Sequence, residues 1–103
     1  MKQRVKEHLC RVYGLGMDDI DELYGIGCQT VGATLSRLEI AFSGEGDARE
    51  IADAGHMLKG ALFNMGLLEL GDLARDMELA GKRGRMEEAR AVYARLRPAL
   101  KFF

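Results

Sequence analysis

The sequence contains little proline and cysteine and no tryptophan, since its 103 residues include one proline and two cysteines. The cysteines, Cys10 and Cys28, form no CxxC pair, and the two histidines of the chain form no cluster. A structural zinc site or a disulfide framework requires paired or clustered ligands of that kind. We therefore expect reduced thiols and no metal site in this chain.

An excess of basic residues is also missing. Fifteen Lys and Arg stand against sixteen Asp and Glu, which gives a net charge of -1, whereas binding to a nucleic acid backbone requires a positive surface. The N-terminal segment has no apolar run of the length that a signal peptide or membrane anchor needs. The sequence therefore predicts a cytoplasmic protein that binds neither nucleic acid nor a membrane.

Residues that favour strands are scarce, and residues that favour helices are abundant. The chain has 4 Val, 4 Ile and 2 Thr against 14 Leu, 12 Ala and 6 Met, a balance that favours helices throughout. With 48% hydrophobic residues, a chain of this length can build one core but not two complete domains. The expected fold class is all-α.

Most of the 13 glycines fall between segments with amphipathic helical periodicity. The predicted helices are 2–13, a short helix from Asp18 or Asp19 to Tyr24, a longer helix after a break at Gly25-Ile26-Gly27, 47–65, 70–80 and 86–103. The longer helix is defined by the apolar stripe Val31, Thr34, Leu35, Leu38, Ala41 and Phe42 and stops at Gly44. Asp47 followed by Glu50 is the pattern of a capping box, and Pro98 should kink or end the last helix. Residues 17–103 are predicted to form an up-down four-helix bundle, with residues 1–16 as an additional N-terminal helix.

His56 lies on the outward face of the helix predicted for residues 47–65. The apolar stripe of that helix consists of Ile51, Gly55, Leu58, Leu62 and Met65. At 100° per residue, His56 falls about 160° from Leu58. Lys59 follows one turn later, and Gly60 leaves the neighbouring backbone bare. Since a glycine inside a helix costs about 1 kcal/mol relative to alanine, Gly60 indicates a close approach there, either of a partner or of another helix.

A histidine facing solvent offers a neutral, nucleophilic imidazole near pH 7. A phosphoryl group on that ring would carry negative charge that Lys59 can stabilise. The sequence has neither a Gly-rich phosphate loop nor a carboxylate cluster for Mg²⁺, so a partner must complete the reaction. A metal-binding bundle built on Asp53 and His56 is disfavoured, because the E-x-x-H pairs of di-iron bundles are missing.

The segment His56-Met57-Leu58-Lys59-Gly60, followed by Gly66 and a leucine-rich helix, resembles the histidine-containing phosphotransfer (HPt) domain family. The preceding helix adds a similar L-x-x-L-E-x-A run and G-D turn, formed by Leu35, Leu38, Glu39, Ala41, Gly46 and Asp47. The resemblance covers roughly residues 17–103. It implies a four-helix bundle whose exposed histidine accepts a phosphoryl group on Nε2 from the aspartyl phosphate of one receiver domain and passes it to the Asp of another.

The resemblance also implies the roles of individual residues. His56 is the phosphoacceptor, Lys59 stabilises the phosphate, Gly60 provides docking clearance, and Gly66 forms the turn that lets two helices pack closely. Glu78 lies where the family often has Glu or Gln, a position suited to orienting the imidazole; a solvated surface glutamate is the alternative. No cofactor is implied in the chain itself, and Mg²⁺ is expected in the partner receiver domain.

Phe63 departs from the family pattern, which has a small residue seven positions after the histidine. At about 140° from Leu58, Phe63 lies beside His56, where it is either a docking contact or a plug packed under the next helix. Met57 and Leu67 would join it in an apolar patch for partner docking.

The function predicted from these residues is that of a phosphorelay intermediate of bacterial type. We expect a monomer without autonomous enzymatic activity, which needs a receiver domain or a hybrid histidine kinase as its partner. The alternative is a helical adaptor that binds receiver or kinase domains without phosphotransfer. The presence of both His56 and Lys59 argues against the adaptor.

Overall fold

The computed structural model describes residues 2–45 and 47–100, in which five α-helices and one π-helical turn occur and no strand. The helices are α1 (Lys2–Tyr13), α2 (Met17–Ile40), α3 (Ala48–Asn64), α4 (Leu68–Lys82) and α5 (Met86–Leu100). The π-helical turn Ala41–Glu45 follows α2 directly. The expectation of an all-α fold is confirmed.

Helices α2 to α5 pack against one another in sequence order, and α1 packs on α2. The end of α2 is joined to α5 by Glu39, whose Oε1 accepts hydrogen bonds from Tyr93 Oη at 2.6 Å and Arg97 Nε at 2.9 Å. All five helices contribute to one core. Its largest fully buried side chains are Val5, Ile20, Val31, Thr34, Leu38, Ile51, Leu58, Leu62, Met77, Leu96 and Leu100.

Helix α2 is continuous over 24 residues, so the predicted break at Gly25-Ile26-Gly27 is wrong. Each interior glycine costs a helix about 1 kcal/mol, and burial of Ile20 and Val31 on the same helix offsets this by about 1.5 to 3 kcal/mol for each side chain. Gly27 also has a packing role, because a Cβ there would lie 2.9 Å from Sδ of Met65. The two glycines therefore do not mark a helix boundary.

The N-terminus of α3 is capped as its sequence predicts, but only in part. The Asp47 side chain accepts a hydrogen bond from the backbone nitrogen of Glu50 at 3.0 Å, which satisfies one free N–H group of the first turn. The Glu50 carboxylate does not return the contact and instead pairs with Arg37 of α2 at 3.4 Å. The Asp47 contact of the capping box therefore forms, whereas Glu50 links α3 to α2 through Arg37.

The C-terminus of α3 is closed by Gly66, which has a φ of 76°. The N–H groups of Gly66 and Leu67 donate to the carbonyls of Phe63 and Leu62, the hydrogen-bond pair of a Schellman motif. Glycine adopts this left-handed conformation without steric cost. Helix α3 therefore ends where the sequence predicts.

The last helix extends past its proline. Pro98 lies inside α5, which runs to Leu100, so the proline does not end the helix. The inward face of α5 buries Ala89, Leu96 and Leu100. Phe103, the last member of the predicted apolar stripe, lies outside the described residues.

Helices α3 and α4 approach each other closely at two glycines. A Cβ on Gly55 would lie 3.0 Å from the backbone nitrogen of Glu78, and a Cβ on Gly81 would lie 2.7 Å from the backbone nitrogen of Ala52. The backbones of the two helices are therefore in contact. This contact places Glu78 beside the residue that precedes His56.

Gly81→Ala should separate the two helices and destabilise the fold. The new methyl group would meet backbone atoms of α3 that cannot move aside, and overpacking of this kind costs about 1 to 3 kcal/mol. Gly32→Ala is the matched control, because a Cβ there meets nothing within 4 Å and alanine favours a helix interior by about 1 kcal/mol. Urea unfolding of both variants measures the difference, and equal unfolding free energies would contradict the close contact.

Candidate functional site

His56 projects from α3 toward solvent, with 68% of its side chain exposed. The apolar side of the same helix buries Ile51, Leu58 and Leu62. The outward orientation predicted from the helical phase is therefore observed.

Glu78 reaches His56 from the neighbouring helix α4. Its side chain is 3% exposed, and its Oε2 lies 2.8 Å from Nδ1 of His56. The carboxylate comes this close because Gly55 places no side chain between the two helices. Glu78 is thus buried against the histidine, and the alternative of a solvated surface glutamate is wrong.

Two lysines complete the contacts of this carboxylate. Lys59 Nζ donates to Oε1 of Glu78 at 2.8 Å, and Lys82 Nζ lies 3.3 Å from Oε2. Burial alone would raise the pKa of Glu78, but hydrogen bonds from Lys59, His56 and Lys82 outweigh it, so this pKa lies below its usual value. Glu78 is therefore ionised near neutral pH.

The ionised carboxylate fixes the tautomer of His56. A carboxylate can only accept hydrogen bonds, so Nδ1 of the imidazole must carry the hydrogen. In the neutral ring, Nε2 then keeps its lone pair. Within residues 2–45 and 47–100, no side chain hydrogen-bonds to Nε2, and this nitrogen is available to a reacting group.

Acidification should destabilise the fold through Glu78. Because its folded pKa is lowered, Glu78 contributes stability above its unfolded pKa, for which the ordinary value is 4.5, and loses it as the pH falls through the folded value. The pKa of Glu39 is also lowered, by hydrogen bonds from Tyr93 and Arg97. As the pH falls from neutral to below 4.5, the free energy of unfolding measured with urea should therefore decline less steeply in Glu78→Gln and in Glu39→Gln than in wild type. The decline should be least steep in the double variant. If the unfolding free energy of Glu78→Gln fell with pH as steeply as that of wild type, this would contradict an ionised Glu78 that is hydrogen-bonded in the folded state.

Gly60 lies on the open side of α3. A Cβ at this position would meet nothing within 4 Å, so no other helix packs against it. Of the two explanations that the sequence left open for this glycine, close packing of another helix is therefore wrong. The space beside His56 is accessible to a partner.

A cleft of about 510 Å³ opens beside His56 and is lined by Arg37 of α2 and Lys82 of α4 as well as by Asp53 and Met57. Met57 is 45% exposed, and Nη1 of Arg37 lies 3.0 Å from its Sδ. Sequence reasoning missed Arg37, because the helical phase of α2 alone does not show which of its polar residues faces α3.

Phe63 and Leu67 do not form an apolar docking patch with Met57. Leu67 is 2% exposed, because the Schellman turn directs the residue after its glycine onto the helix it closes. Phe63 is half-buried, and its ring packs against Gly71 of α4. Phe63 is thus the plug under the next helix, and only Met57 remains of the predicted patch.

Gly66 serves a second contact that the sequence did not indicate. A Cβ on Gly66 would collide with the imidazole of His8 on α1. The turn between α3 and α4 therefore packs against α1 as well as joining its own two helices.

Asp53 and His56 are not part of a metal-binding group. In the described part of the chain, no three His, Cys, Asp or Glu side chains lie close enough together to hold a metal ion.

No described helix is both long and apolar enough to cross a membrane.

Comparison with models of protein families shows which family the chain belongs to. The family model of the Hpt domain matches residues 22–101 of the chain. The chain belongs to the Hpt domain family. Comparison with curated proteins and with solved structures gave no significant match. The Hpt match begins inside α2 and includes His56, Lys59 and Glu78, whereas α1 lies outside it.

Membership of this family implies a general activity. Hpt domains take part in histidine phosphotransfer in phosphorelays, and they generally interact with receiver domains. The exposed imidazole and its buried carboxylate lie within the matched residues. The site and the family therefore point to the same class of reaction.

Proposed function

We propose that this Hpt domain accepts a phosphoryl group on Nε2 of His56 from the aspartyl phosphate of one receiver domain and passes it to the Asp of another. The observation that carries the proposal is the buried Glu78 carboxylate, 2.8 Å from Nδ1 of His56. This contact orients the ring and leaves the lone pair on Nε2, the nitrogen that must attack. The imidazole-orienting role belongs to Glu78.

The transfer balances without a further reactant. The lone pair of Nε2 attacks phosphorus, an N–P bond forms, and the bond between phosphorus and the aspartyl oxygen breaks to release a carboxylate. The ring becomes positively charged, with Nδ1–H still donating to Glu78, whose negative charge stabilises it. Attack by the carboxylate of a second receiver on the same phosphorus breaks the N–P bond and restores the neutral ring.

The charges around Glu78 suit an incoming anion. Lys59 and Lys82 place two ammonium groups against one carboxylate, so this cluster has a net positive charge. A phosphoryl group carries about 1.5 to 2 negative charges at pH 7. We assign phosphate stabilisation to Lys59, which lies one helical turn after the histidine.

The partner supplies the remaining chemistry. The sequence has no phosphate-binding Gly-rich loop, and the described residues contain no group of three or more His, Cys, Asp or Glu side chains that could hold a metal ion. Phosphoryl-transfer enzymes use such parts to hold nucleotide and Mg²⁺. We propose that Mg²⁺ is held by the receiver and that a hybrid histidine kinase or a receiver is the phosphoryl donor. In this proposal the domain is a monomer in the bacterial cytoplasm and has no autonomous catalytic activity.

Incubation with a phosphorylated receiver domain tests the proposed function. We expect the chain to become labelled with phosphate that is labile in acid and stable in base, and nuclear magnetic resonance should place the phosphorus on Nε2. A pure adaptor would bind the receiver without becoming labelled. Binding without labelling would therefore overturn the proposal, and phosphorus on Nδ1 would contradict the orienting role of Glu78.

Lys59→Ala should impair both phosphotransfer and folding. Loss of about 1.4 kcal/mol of charge stabilisation in the transition state slows transfer about tenfold. Since Lys59 already donates to the buried Glu78 in the unphosphorylated protein, its removal should also cost about 1 to 3 kcal/mol of stability. Lys59→Arg, which keeps the charge, is the control, and labelling rates together with urea unfolding provide the measurement. A wild-type rate of phosphoryl transfer in Lys59→Ala would show that Lys59 takes no part in the reaction.

A further inference from the structure

Arg37 reaches the cleft beside His56 from α2, whereas Glu78 approaches the histidine from α4. Helix α3 packs against both of these helices, and the cleft is bordered by Arg37 on the side of α2 and by Lys82 on the side of α4. Nη1 of Arg37 lies 3.0 Å from Sδ of Met57, the residue that follows the histidine. A cation from α2 is therefore held next to the proposed phosphoacceptor.

The two nitrogens of the His56 ring point in different directions. Nδ1 faces α4, where Oε2 of Glu78 lies 2.8 Å away. Because the two nitrogens of an imidazole are separated by a ring carbon, the lone pair of Nε2 diverges from the Nδ1–H bond. Nε2 is therefore turned away from Glu78, and a phosphoryl group bonded to it would extend into the open part of the cleft.

Both lysines of the site are held beside α4. Lys59 Nζ lies 2.8 Å from Oε1 of Glu78, and Lys82 Nζ lies 3.3 Å from Oε2. A phosphoryl group has three strong acceptor oxygens and about 1.5 to 2 negative charges at pH 7. Lys59 approaches such a group from the side of α4, so the oxygens that face α2 are left for another donor.

Arg37 is available to these oxygens. Its side chain is 38% exposed, and its carboxylate partner Glu50 lies at 3.4 Å and is 51% exposed. Exposed ion pairs of this kind hold their partners weakly, and the thioether of Met57 carries no charge. Asp53 lines the same cleft, but in the described part of the chain it forms no ion pair with Arg37. The guanidinium can therefore turn to a phosphoryl group, whose oxygens match its fork of N–H donors.

We propose that Arg37 turns from Glu50 to the phosphoryl group on Nε2 of His56 and stabilises it through hydrogen bonds from the guanidinium during transfer. The inference rests on the proposed function, which supplies the phosphoryl group. Arg37 is then a catalytic residue contributed by α2. Lys59 and Arg37 bind the phosphoryl group from opposite sides, while Glu78 holds the ring between them.

Labelling by phosphoramidate tests this contact, because a small phosphoryl donor requires no docked protein. Arg37→Gln should be labelled about tenfold more slowly than wild type, as expected for loss of a charge-assisted hydrogen bond in the transition state. Arg37→Lys keeps the charge without the fork and should have an intermediate rate. Arg75→Gln is the matched control and should be labelled at the wild-type rate. Arg75 is 52% exposed and pairs with Asp72 at 3.1 Å, but it does not line the cleft.

Transfer from a phosphorylated receiver separates this inference from the proposed function. The rate of this transfer should fall in Arg37→Gln by the same factor as labelling by phosphoramidate. Slower transfer from the receiver with wild-type labelling by phosphoramidate would assign Arg37 to docking and overturn the inference, as would wild-type rates with both donors. If no donor labelled wild-type protein, the proposed function itself would be overturned.

Nuclear magnetic resonance of the arginine side chains provides a second readout, recorded on wild-type protein and therefore independent of how Arg37→Gln folds. Phosphorylation of His56 should shift the Nε–H resonance of Arg37, which is assigned from its loss in Arg37→Lys. The corresponding resonance of Arg75 should stay in place. An unchanged Arg37 resonance in phosphorylated protein would overturn the proposed contact.

Discussion

His56→Gln should abolish labelling of this chain by a phosphorylated receiver and by phosphoramidate. Glutamine has no nitrogen with a lone pair able to attack phosphorus, whereas the Glu78 contact leaves one on Nε2 of His56. The expected loss is complete, because no other group in the contact network of Glu78 can replace the imidazole. Autoradiography of labelled protein, read at several times, provides the measurement.

The fold must survive this substitution for the result to be informative. His56 is 68% exposed, and exposed substitutions usually change stability by no more than about 0.5 kcal/mol. The amide of glutamine can still donate to Glu78. His8→Gln is the matched control, because His8 is the other histidine of the chain, and this variant should be labelled normally. Loss of labelling in His8→Gln with retention in His56→Gln would move the acceptor to α1.

The sequence was sufficient to predict the orientation of His56. The phase of a helix is set by its apolar residues, and α3 buries Ile51, Leu58 and Leu62 while its capping residue and closing glycine fix both ends. Each of these signals lies within α3 or at one of its two ends. The outward position of His56 follows from them without knowledge of the other helices.

The role of Glu78 could not be decided from its own helix. Whether a glutamate on α4 is solvated or buried depends on how closely α3 approaches, and that distance is set by Gly55 and Gly81. In the sequence, Gly55 was part of an apolar stripe, with nothing to show that the backbone of Glu78 lies against it. Small residues at both sides of a helix contact are the signal that would have indicated this approach.

The errors in α2 and in the docking patch have the same physical origin. Gly25 and Gly27 have low helix propensity, but tertiary burial of the surrounding apolar residues outweighs it. Phe63 has an outward phase near His56, yet its ring packs against Gly71 on the next helix. Gly27 leaves space for Met65 at the end of α3, and Gly71 leaves space for Phe63. An analysis of one helix at a time does not detect either contact.

Gly60→Leu should separate the requirements of docking from those of folding. The Cβ of the new residue would enter open space, and leucine is favoured over glycine in a helix interior by about 0.8 kcal/mol. The unfolding free energy should therefore stay the same or rise. Gly60 lies about 40° from His56 around α3, so the leucine side chain would occupy the surface over which a receiver must approach.

We expect transfer from a phosphorylated receiver to Gly60→Leu to fall at least about a hundredfold, the loss that corresponds to roughly 2.7 kcal/mol of binding and positioning energy. Gly60→Ala, which adds only a methyl group, should lose far less and gain similar stability. Receiver binding by calorimetry, labelling rates and urea unfolding distinguish the two effects. If Gly60→Leu had a lower unfolding free energy and bound the receiver with wild-type affinity, the bare backbone beside His56 would serve the packing of the bundle. Only a leucine pressed against another helix would destabilise the fold and leave the docking surface unobstructed.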